Sequence, residues 1–160
     1  MDEPKIPALG PRGEGWVVAQ FALGVVIAVA GIAGLASGAP AGTTLLVAGV
    51  AIAVAGQALF VAGIVGLGSA LTPFPKPSEG EALRVGGIYR WARHPIYGGV
   101  LLIALGWSFA TSPLALVPSA LLLVVLELKS RYEESMLAER YPEYDAYRRR
   151  VRWRFVPWVR

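Results

Sequence analysis

The sequence contains no cysteine, a single histidine and few charged residues. The absence of cysteine excludes disulfides, thiolate catalysis and cysteine-ligated metals. The single histidine also excludes a histidine-rich metal cluster, so we expect no metal site. Charged residues make up 16% of the 160 residues and apolar residues 55%, above the roughly 45–50% of soluble domains. This composition indicates a membrane protein.

Two long stretches, residues 16–75 and 95–126, contain neither charged residues nor histidine. A helix needs about 20 apolar residues to cross a hydrocarbon core of about 30 Å, so each stretch has room for two crossings. Small and turn-forming residues at 37–42 and 111–113 divide the stretches. The sequence therefore predicts an all-α polytopic membrane protein with four transmembrane helices in one domain, residues 1–160. The predicted spans cover residues 16–37, 43–71 and 95–110, and the fourth begins at Pro113.

The basic residues indicate how these helices are oriented. All 15 Lys and Arg residues precede residue 16, lie between residues 76 and 93, or follow residue 128. With four spans these three regions share one side, which the positive-inside rule makes cytoplasmic for both termini. Because the basic residues flank membrane spans, they suggest anionic lipid as a partner and no nucleic acid. Oligomeric state has no signature in the sequence.

The predicted fourth helix has only 14 residues between its start at Pro113 and Glu127. That length rises about 20 Å, so Glu127 is expected within membrane depth, where ionisable residues are functional candidates. The helix is predicted to continue to residue 141 as an amphipathic cytoplasmic extension, followed by a basic C-terminal tail in the headgroup layer. Its charges predict two surface pairs four residues apart, Glu127 with Arg131 and Lys129 with Glu133.

Glycines recur every seven residues in the first half, among them Gly49, Gly56 and Gly63. Such a stripe of small residues lets helix backbones approach closely, so we interpret it as a packing surface. Gln57, the amide in the middle of these spans, is expected to hydrogen-bond across helices. Residues 1–75 are accordingly predicted to form a two-span scaffold, and residues 76–160 to form the half that carries the chemistry.

Two motifs in the second half carry a family resemblance. The sequence R-H-P-x-Y-x-G stands at residues 93–99, and E-E-x-x-L stands at residues 133–137. Together they resemble the integral membrane methyltransferases, which include isoprenylcysteine carboxyl methyltransferases and phospholipid N-methyltransferases. The resemblance covers about residues 76–158. It implies a site for S-adenosylmethionine at the cytoplasmic ends of the third and fourth spans.

The same resemblance implies residue roles and a substrate class. The residues expected to bind the cofactor are His94, Tyr97, Gly99, Glu133 and Glu134. The candidate catalytic residues are Glu127 and Arg93, where Arg93 could instead hold the cofactor carboxylate or an anionic acceptor. The acceptor itself is expected to be lipid-like or isoprenylated and to arrive from the bilayer.

Two alternatives use the same residues. Membrane sterol and steroid reductases, which bind NADPH, place a similar R-H-P-x-Y motif before a C-terminal helix. This chain is shorter than they are, lacks their additional spans, and has Glu133-Glu134 where an Arg-Asp-Glu type of sequence is expected. The other alternative is a small non-enzymatic membrane protein that uses the fold for binding or assembly.

Overall fold

The computed structural model of the chain describes residues 6–38, 42–76 and 80–158. Over these residues the protein consists of α-helices and short 3-10 turns, with no β-strand. The helices are α1 (Glu14–Ala36), α2 (Thr43–Leu67), α3 (Pro95–Thr111), α4 (Leu116–Arg140) and α5 (Tyr144–Arg150). The 3-10 turns are Gly68–Ala70, Gly87–Arg90 and Pro113–Ala115.

Three of the described helical segments are long and apolar enough to cross a membrane: Glu14–Ala36, Thr43–Ala70 and Pro113–Arg140. Helix α3 is also apolar but has only 17 residues. At 1.5 Å per residue it rises about 26 Å, which falls short of a hydrocarbon core of about 30 Å. The expected all-helical membrane protein is confirmed, with three candidate spans and one shorter apolar helix where four spans were predicted.

Prolines set two of the helix boundaries. Pro95 is the first residue of α3, where its missing N–H costs nothing because first-turn amides have no helical partner. Pro142 follows the end of α4, and the preceding Tyr141 is extended, with φ −117° and ψ 106°. A proline disfavours the helical conformation of the residue before it. The predicted extension of the fourth helix therefore ends within a residue of where the sequence placed it.

The glycine stripe of α2 packs directly on α3. A Cβ added to Gly56 would lie 2.9 Å from the carbonyl oxygen of Gly99 and 2.8 Å from the amide of Ile103. One added to Gly49 would lie 2.5 Å from the carbonyl oxygen of Gly106. These approaches are too close for any side chain, so the predicted packing role is confirmed. The side chain of Gln57 lies on the exposed side of α2. The predicted hydrogen bond from Gln57 to another helix is therefore wrong.

Helix α1 packs against α3 and α4, whereas α2 packs against α3. A cleft therefore separates α1 from α2 over part of their length. The N-terminal end of α1 meets the segment after α2, since the Arg12 guanidinium lies 4.2 Å from the centre of the Phe74 ring. At the opposite end of the bundle, Gly34 packs against Ser112. The helices thus run alternately up and down, with the basic segments gathered at one end.

The C-terminal tail folds back onto the start of α3. The backbone amide of Arg93 donates to the carbonyl of Trp153 at 3.1 Å, and that of His94 donates to the carbonyl of Arg154 at 2.7 Å. Phe155 then packs against the core formed by α1, α3 and α4. The tail therefore forms part of the fold around His94. The sequence had predicted only a segment that lies in the headgroup layer.

Candidate functional site

The R-H-P-x-Y motif spans the entrance to α3, and its two buried basic side chains meet Glu134 of α4. The Arg93 Nε donates to Glu134 Oε1 at 2.9 Å, and the His94 Nε2 lies 3.0 Å from the same oxygen. The Arg93 Nη1 donates to the carbonyl of Val151 at 2.6 Å, and the Arg154 Nε lies 3.5 Å from Glu134 Oε1. Glu134 is only 3% exposed. Its carboxylate therefore joins α3, α4 and the tail at one point.

The neighbouring carboxylate, Glu133, faces the other half of the motif. It accepts a 2.8 Å hydrogen bond from the hydroxyl of Tyr97, and its Oε2 lies 3.8 Å from His94 Nδ1. The rings of His94 and Tyr97 are stacked, with centroids 5.4 Å apart and planes 3° apart. Adjacent helix residues diverge by about 100°, which is why Glu133 and Glu134 reach different partners. The two carboxylates of the motif therefore point in different directions.

A cavity of about 540 Å³ opens beside the stacked rings. Such a volume falls in the range of about 300–1,000 Å³ typical of ligand sites. Its polar end is lined by the side chains of the two motifs and by buried tyrosines of the neighbouring segments: Arg93, His94, Tyr97, Glu133, Tyr89 and Tyr147. Burial raises the pKa of Tyr89 and of Tyr147. Both phenols therefore remain protonated at neutral pH, and the hydroxyl of Tyr147 donates to the carbonyl of Tyr89 at 2.7 Å.

The other end of the cavity is apolar and lies between α1 and α2. Phe21 and Gly24 of α1 face Phe60 and Ile64 of α2 across it, and Val100 of α3 lines it as well. A Cβ added to Gly24 would meet no atom within 4 Å. Unlike the stripe on α2, Gly24 therefore borders open space. The cavity thus joins a charged region near the helix ends to an apolar cleft between two candidate spans.

Lys129 lies where the polar and apolar ends of the cavity meet. The predicted surface ion pair between Lys129 and Glu133 is therefore wrong. The Lys129 side chain is 1% exposed; Nζ donates to Gln20 Oε1 at 2.8 Å and to the carbonyl of Pro73 at 3.1 Å. It also lies 4.9 Å from the centre of the Tyr97 ring. Helical periodicity could have indicated the burial of Lys129, because it shares the buried face of α4 with the apolar residues three and seven positions before it.

Three of the candidate site residues lie away from the cavity surface. Glu127 pairs with Arg154 and, at 2.9 Å, with Arg131, and its carboxylate is not part of the cavity wall. Gly99 packs against α2, where an added Cβ would lie 2.6 Å from the amide nitrogen of Phe60. Glu134 is occupied by its ion pairs. The catalytic role of Glu127 and the cofactor contacts of Gly99 and Glu134 stay predictions, and none of these residues is part of the cavity lining.

One curated relative is a Delta(14)-sterol reductase of Arabidopsis thaliana. It is 38% identical to this chain over 89 residues, which is 53% of this chain and 24% of the relative. The chain therefore spans about a quarter of the length of the relative it matches. The similarity is local and concerns part of a much longer protein.

A sequence profile of phospholipid methyltransferases matches residues 44–144. The match covers more than half of the chain and contains α3, α4 and all of α2 except its first residue. It includes both motifs that meet at the cavity, residues 93–99 and 133–137. On this evidence the chain belongs to the phospholipid methyltransferase family of integral membrane methyltransferases.

Proposed function

We propose that the protein transfers a methyl group from S-adenosylmethionine to a lipid-like acceptor at the cytoplasmic face of a membrane. Membership of the phospholipid methyltransferase family supports the reaction class, since the family generally uses this cofactor. The observation that carries the proposal is a cavity that is continuous from the motif residues to an apolar cleft. A polar cofactor from the cytosol and an acceptor from the bilayer need such a meeting point.

The polar end of the cavity fits the chemistry of the cofactor. Glu133 offers a carboxylate to a sulfonium, an amino group or ribose hydroxyls, and Tyr97 and Tyr89 offer aromatic surfaces. When bound, the cofactor supplies an electrophilic methyl group, which an acceptor lone pair takes as the carbon–sulfur bond breaks. The protein is then required mainly to position the two partners and exclude water.

Each residue of the site has a definite part in this scheme. His94 and Tyr97, held parallel by the carboxylates of α4, would form one wall of the cofactor site. Arg93 keeps Glu134 and the tail in place, so that its contribution is to the shape of the site. Water is excluded by the apolar cleft and by Phe155, which packs beside both rings at 6.4 and 6.5 Å between centroids.

The proposal includes an orientation in the membrane. We propose that α3 spans the bilayer as the fourth crossing, aided by local thinning or by its flanking residues. With four crossings, both termini and the segment of residues 76–93 lie in the cytoplasm. The positive-inside distribution of the 15 basic residues supports this arrangement.

A second candidate function is reduction of an isoprenoid or sterol with NADPH, favoured by the 38% identity to the sterol reductase. The two candidates differ in the cofactor. Purified protein in lipid nanodiscs should bind S-adenosylhomocysteine in calorimetric titration and give no heat with NADPH. Binding of NADPH without any response to S-adenosylhomocysteine would favour the reductase and overturn the methyltransferase assignment.

A further inference from the structure

A second, smaller pocket lies outside the cavity, beside the entrance to α3. Its volume is about 220 Å³. It is lined by two residues before α3 and by four residues from the end of α5 and the tail: Arg90, Trp91, Arg150, Val151, Arg152 and Trp153. None of these six residues lines the large cavity. The volume lies below the range of about 300–1,000 Å³ typical of whole-ligand sites, so this tail pocket suits a single small group and not a complete cofactor.

The tail pocket is positively charged. No carboxylate of the described segments lies within 4 Å of the guanidinium groups of its arginines, Arg90, Arg150 and Arg152. On α5, Asp145 pairs with Arg148 at 3.5 Å, outside the lining. Like charges repel one another, and an anion between them relieves that repulsion. Because the planar fork of arginine N–H groups matches the oxygens of a phosphate, the tail pocket favours a phosphate group.

Two tryptophans place the tail pocket at the surface of the membrane. Trp91 is 45% exposed and lies four residues before Pro95, the first residue of the apolar helix α3. Trp158 is 73% exposed, and the centre of its ring lies 5.9 Å from that of Trp91. Tryptophan is enriched where the hydrocarbon core meets the lipid headgroups, so this exposed pair marks that level. The phosphates that surround a protein at that level are those of lipids.

The tail pocket also joins the two chain segments that complete the functional site. Its residues 90 and 91 stand just before Arg93 and His94, whose backbone amides donate to the carbonyls of residues 153 and 154. Its residues 150–153 lead into those carbonyls, and the carbonyl of Val151 accepts from Arg93 Nη1 at 2.6 Å. An anion bound by arginines of both segments would bridge them. A ligand that binds one arrangement of a protein stabilises that arrangement.

We propose that the tail pocket binds the phosphate group of an anionic phospholipid from the surrounding leaflet, and that the bound phosphate holds the tail against the entrance to α3. Arg90 contacts the phosphate from one segment, and Arg150 and Arg152 contact it from the other. The lipid is a stabilising ligand and not a substrate, because its phosphate lies outside the cavity. Neither its binding nor the bridge depends on methyl transfer, so a failure of the proposed function would leave both in place.

The first measurement counts bound lipids. Protein is taken from nanodiscs of mixed phosphatidylcholine and phosphatidylglycerol, and native mass spectrometry gives the ratio of the two lipids that stay bound. The pocket variant, Arg90→Gln with Arg150→Gln, should lower the share of phosphatidylglycerol about tenfold or more. The control variant, Arg148→Gln with Arg149→Gln, removes the same charge from exposed residues outside the lining and should keep most of that share. Equal losses in the two variants would show a general attraction of basic residues for anionic lipid and would overturn the proposal.

A soluble phosphate is the competing occupant of the tail pocket. Glycerol 1-phosphate, titrated into the same nanodiscs, should not displace phosphatidylglycerol from the wild type, because the membrane keeps the lipid phosphate at a high local concentration. Displacement by glycerol 1-phosphate at a concentration equal to that of the lipid would assign the tail pocket to a soluble phosphate. That outcome would overturn the assignment to a lipid.

Hydrogen–deuterium exchange tests the bridge between the two segments. In the wild type, phosphatidylglycerol should slow exchange of the Arg93 and His94 amides about threefold or more relative to phosphatidylcholine alone, because these amides donate to the tail. The pocket variant should exchange at the same rate in both lipids, and the control variant should respond as the wild type does. Exchange in the wild type that does not respond to the anionic lipid would contradict the bridge.

Melting in phosphatidylcholine alone reports on folding. Both double variants should melt at the temperature of the wild type, since the four replaced side chains are exposed. If the pocket variant melts early, Arg152→Gln takes its place, because this side chain is also exposed and lies in the same lining. It should lose phosphatidylglycerol and the slowing of exchange together. Wild-type retention of both in Arg152→Gln would contradict the proposal.

Discussion

The rings of His94 and Tyr97 lie parallel, 5.4 Å apart between centroids, and each is held by a different carboxylate of α4. His94 meets Glu134 at 3.0 Å, and Tyr97 donates to Glu133 at 2.8 Å. The first carboxylate is buried among basic groups, whereas the second faces the cavity. Two adjacent glutamates of one motif therefore have different physical tasks.

The different surroundings of the two glutamates predict that one substitution lowers ligand affinity and the other lowers the melting temperature. Glu133→Gln should weaken S-adenosylhomocysteine binding and leave the melting temperature nearly unchanged. Losing a hydrogen bond to a charged group costs about 1.5–3 kcal/mol, which is roughly ten- to a hundredfold in affinity. Calorimetric titration beside thermal melting measures both effects. Unchanged affinities for both S-adenosylmethionine and S-adenosylhomocysteine would remove Glu133 from the cofactor site.

Glu134→Ala should act on stability first. It leaves Arg93 and His94 buried without their carboxylate, and breaking a buried ion pair by removing one partner costs about 3–5 kcal/mol. We therefore expect a much lower melting temperature than for Glu133→Gln. Equal melting temperatures for the two variants would contradict the division of roles between the adjacent glutamates.

His94→Ala tests whether the histidine binds the cofactor or only fixes the entrance to α3. We expect S-adenosylhomocysteine affinity to fall about tenfold or more, because the wall of the polar end is removed. Tyr97→Phe keeps the stacked ring and loses only the hydroxyl that is bonded to Glu133. We therefore expect it to lower the S-adenosylhomocysteine affinity less than His94→Ala does. A His94→Ala protein that melts early and yet binds normally would make the histidine purely structural.

Two glycines, one on α2 and one on α1, should respond differently to replacement by leucine. Gly56→Leu should disrupt the packing of α2 on α3 and lower the melting temperature, because the added side chain would meet backbone atoms of Gly99 and Ile103. Gly24→Leu should leave melting almost unchanged, since nothing lies within 4 Å of its added Cβ. It should instead fill the cleft and reduce the binding of long-chain amphiphiles.

The absence of cysteine makes the orientation directly testable. Single cysteines at Ser37 and at the 73% exposed Leu114 should react with a membrane-impermeant thiol reagent from outside intact cells or spheroplasts. A cysteine at Ser135, on the exposed side of α4, should react only after permeabilisation. The reverse pattern would invert the orientation. Labelling of the cysteines at Ser37 and Leu114 from opposite sides would contradict the four-crossing arrangement.

The sequence predicted the helices and both motifs because these depend on local signals: charge-free runs, prolines at helix starts, and the seven-residue glycine repeat. The family resemblance also implied that the two motifs share one site, and their side chains are in contact in the structure. The features that the sequence did not predict depend on which side of α4 faces the other helices. Lys129 and Glu127 are two residues apart, and only their helical register with the buried Leu122 and Leu126 indicates which one is buried.

The same limit applies to the tail. An arginine-rich segment with interleaved tryptophans is equally compatible with a lipid headgroup layer and with a folded strap. The deciding contacts are long-range backbone bonds from Arg93 and His94 to residues 153 and 154, which no periodicity within residues 148–158 reveals. Residues of the first half were likewise assigned to scaffolding, although Gln20 and Gly24 line the cavity.

The backbone bonds between residues 93–94 and 153–154 also make the entrance to α3 dependent on a segment far along the chain. A chain cut before residue 153 would keep both motifs and lose the carbonyls of Trp153 and Arg154 that bond to the first of them. It would also lose Phe155, which packs beside the rings of His94 and Tyr97. Such a chain should keep its helices and bind ligand poorly, so removal of the tail by a protease should inactivate the site while the protein stays in the membrane.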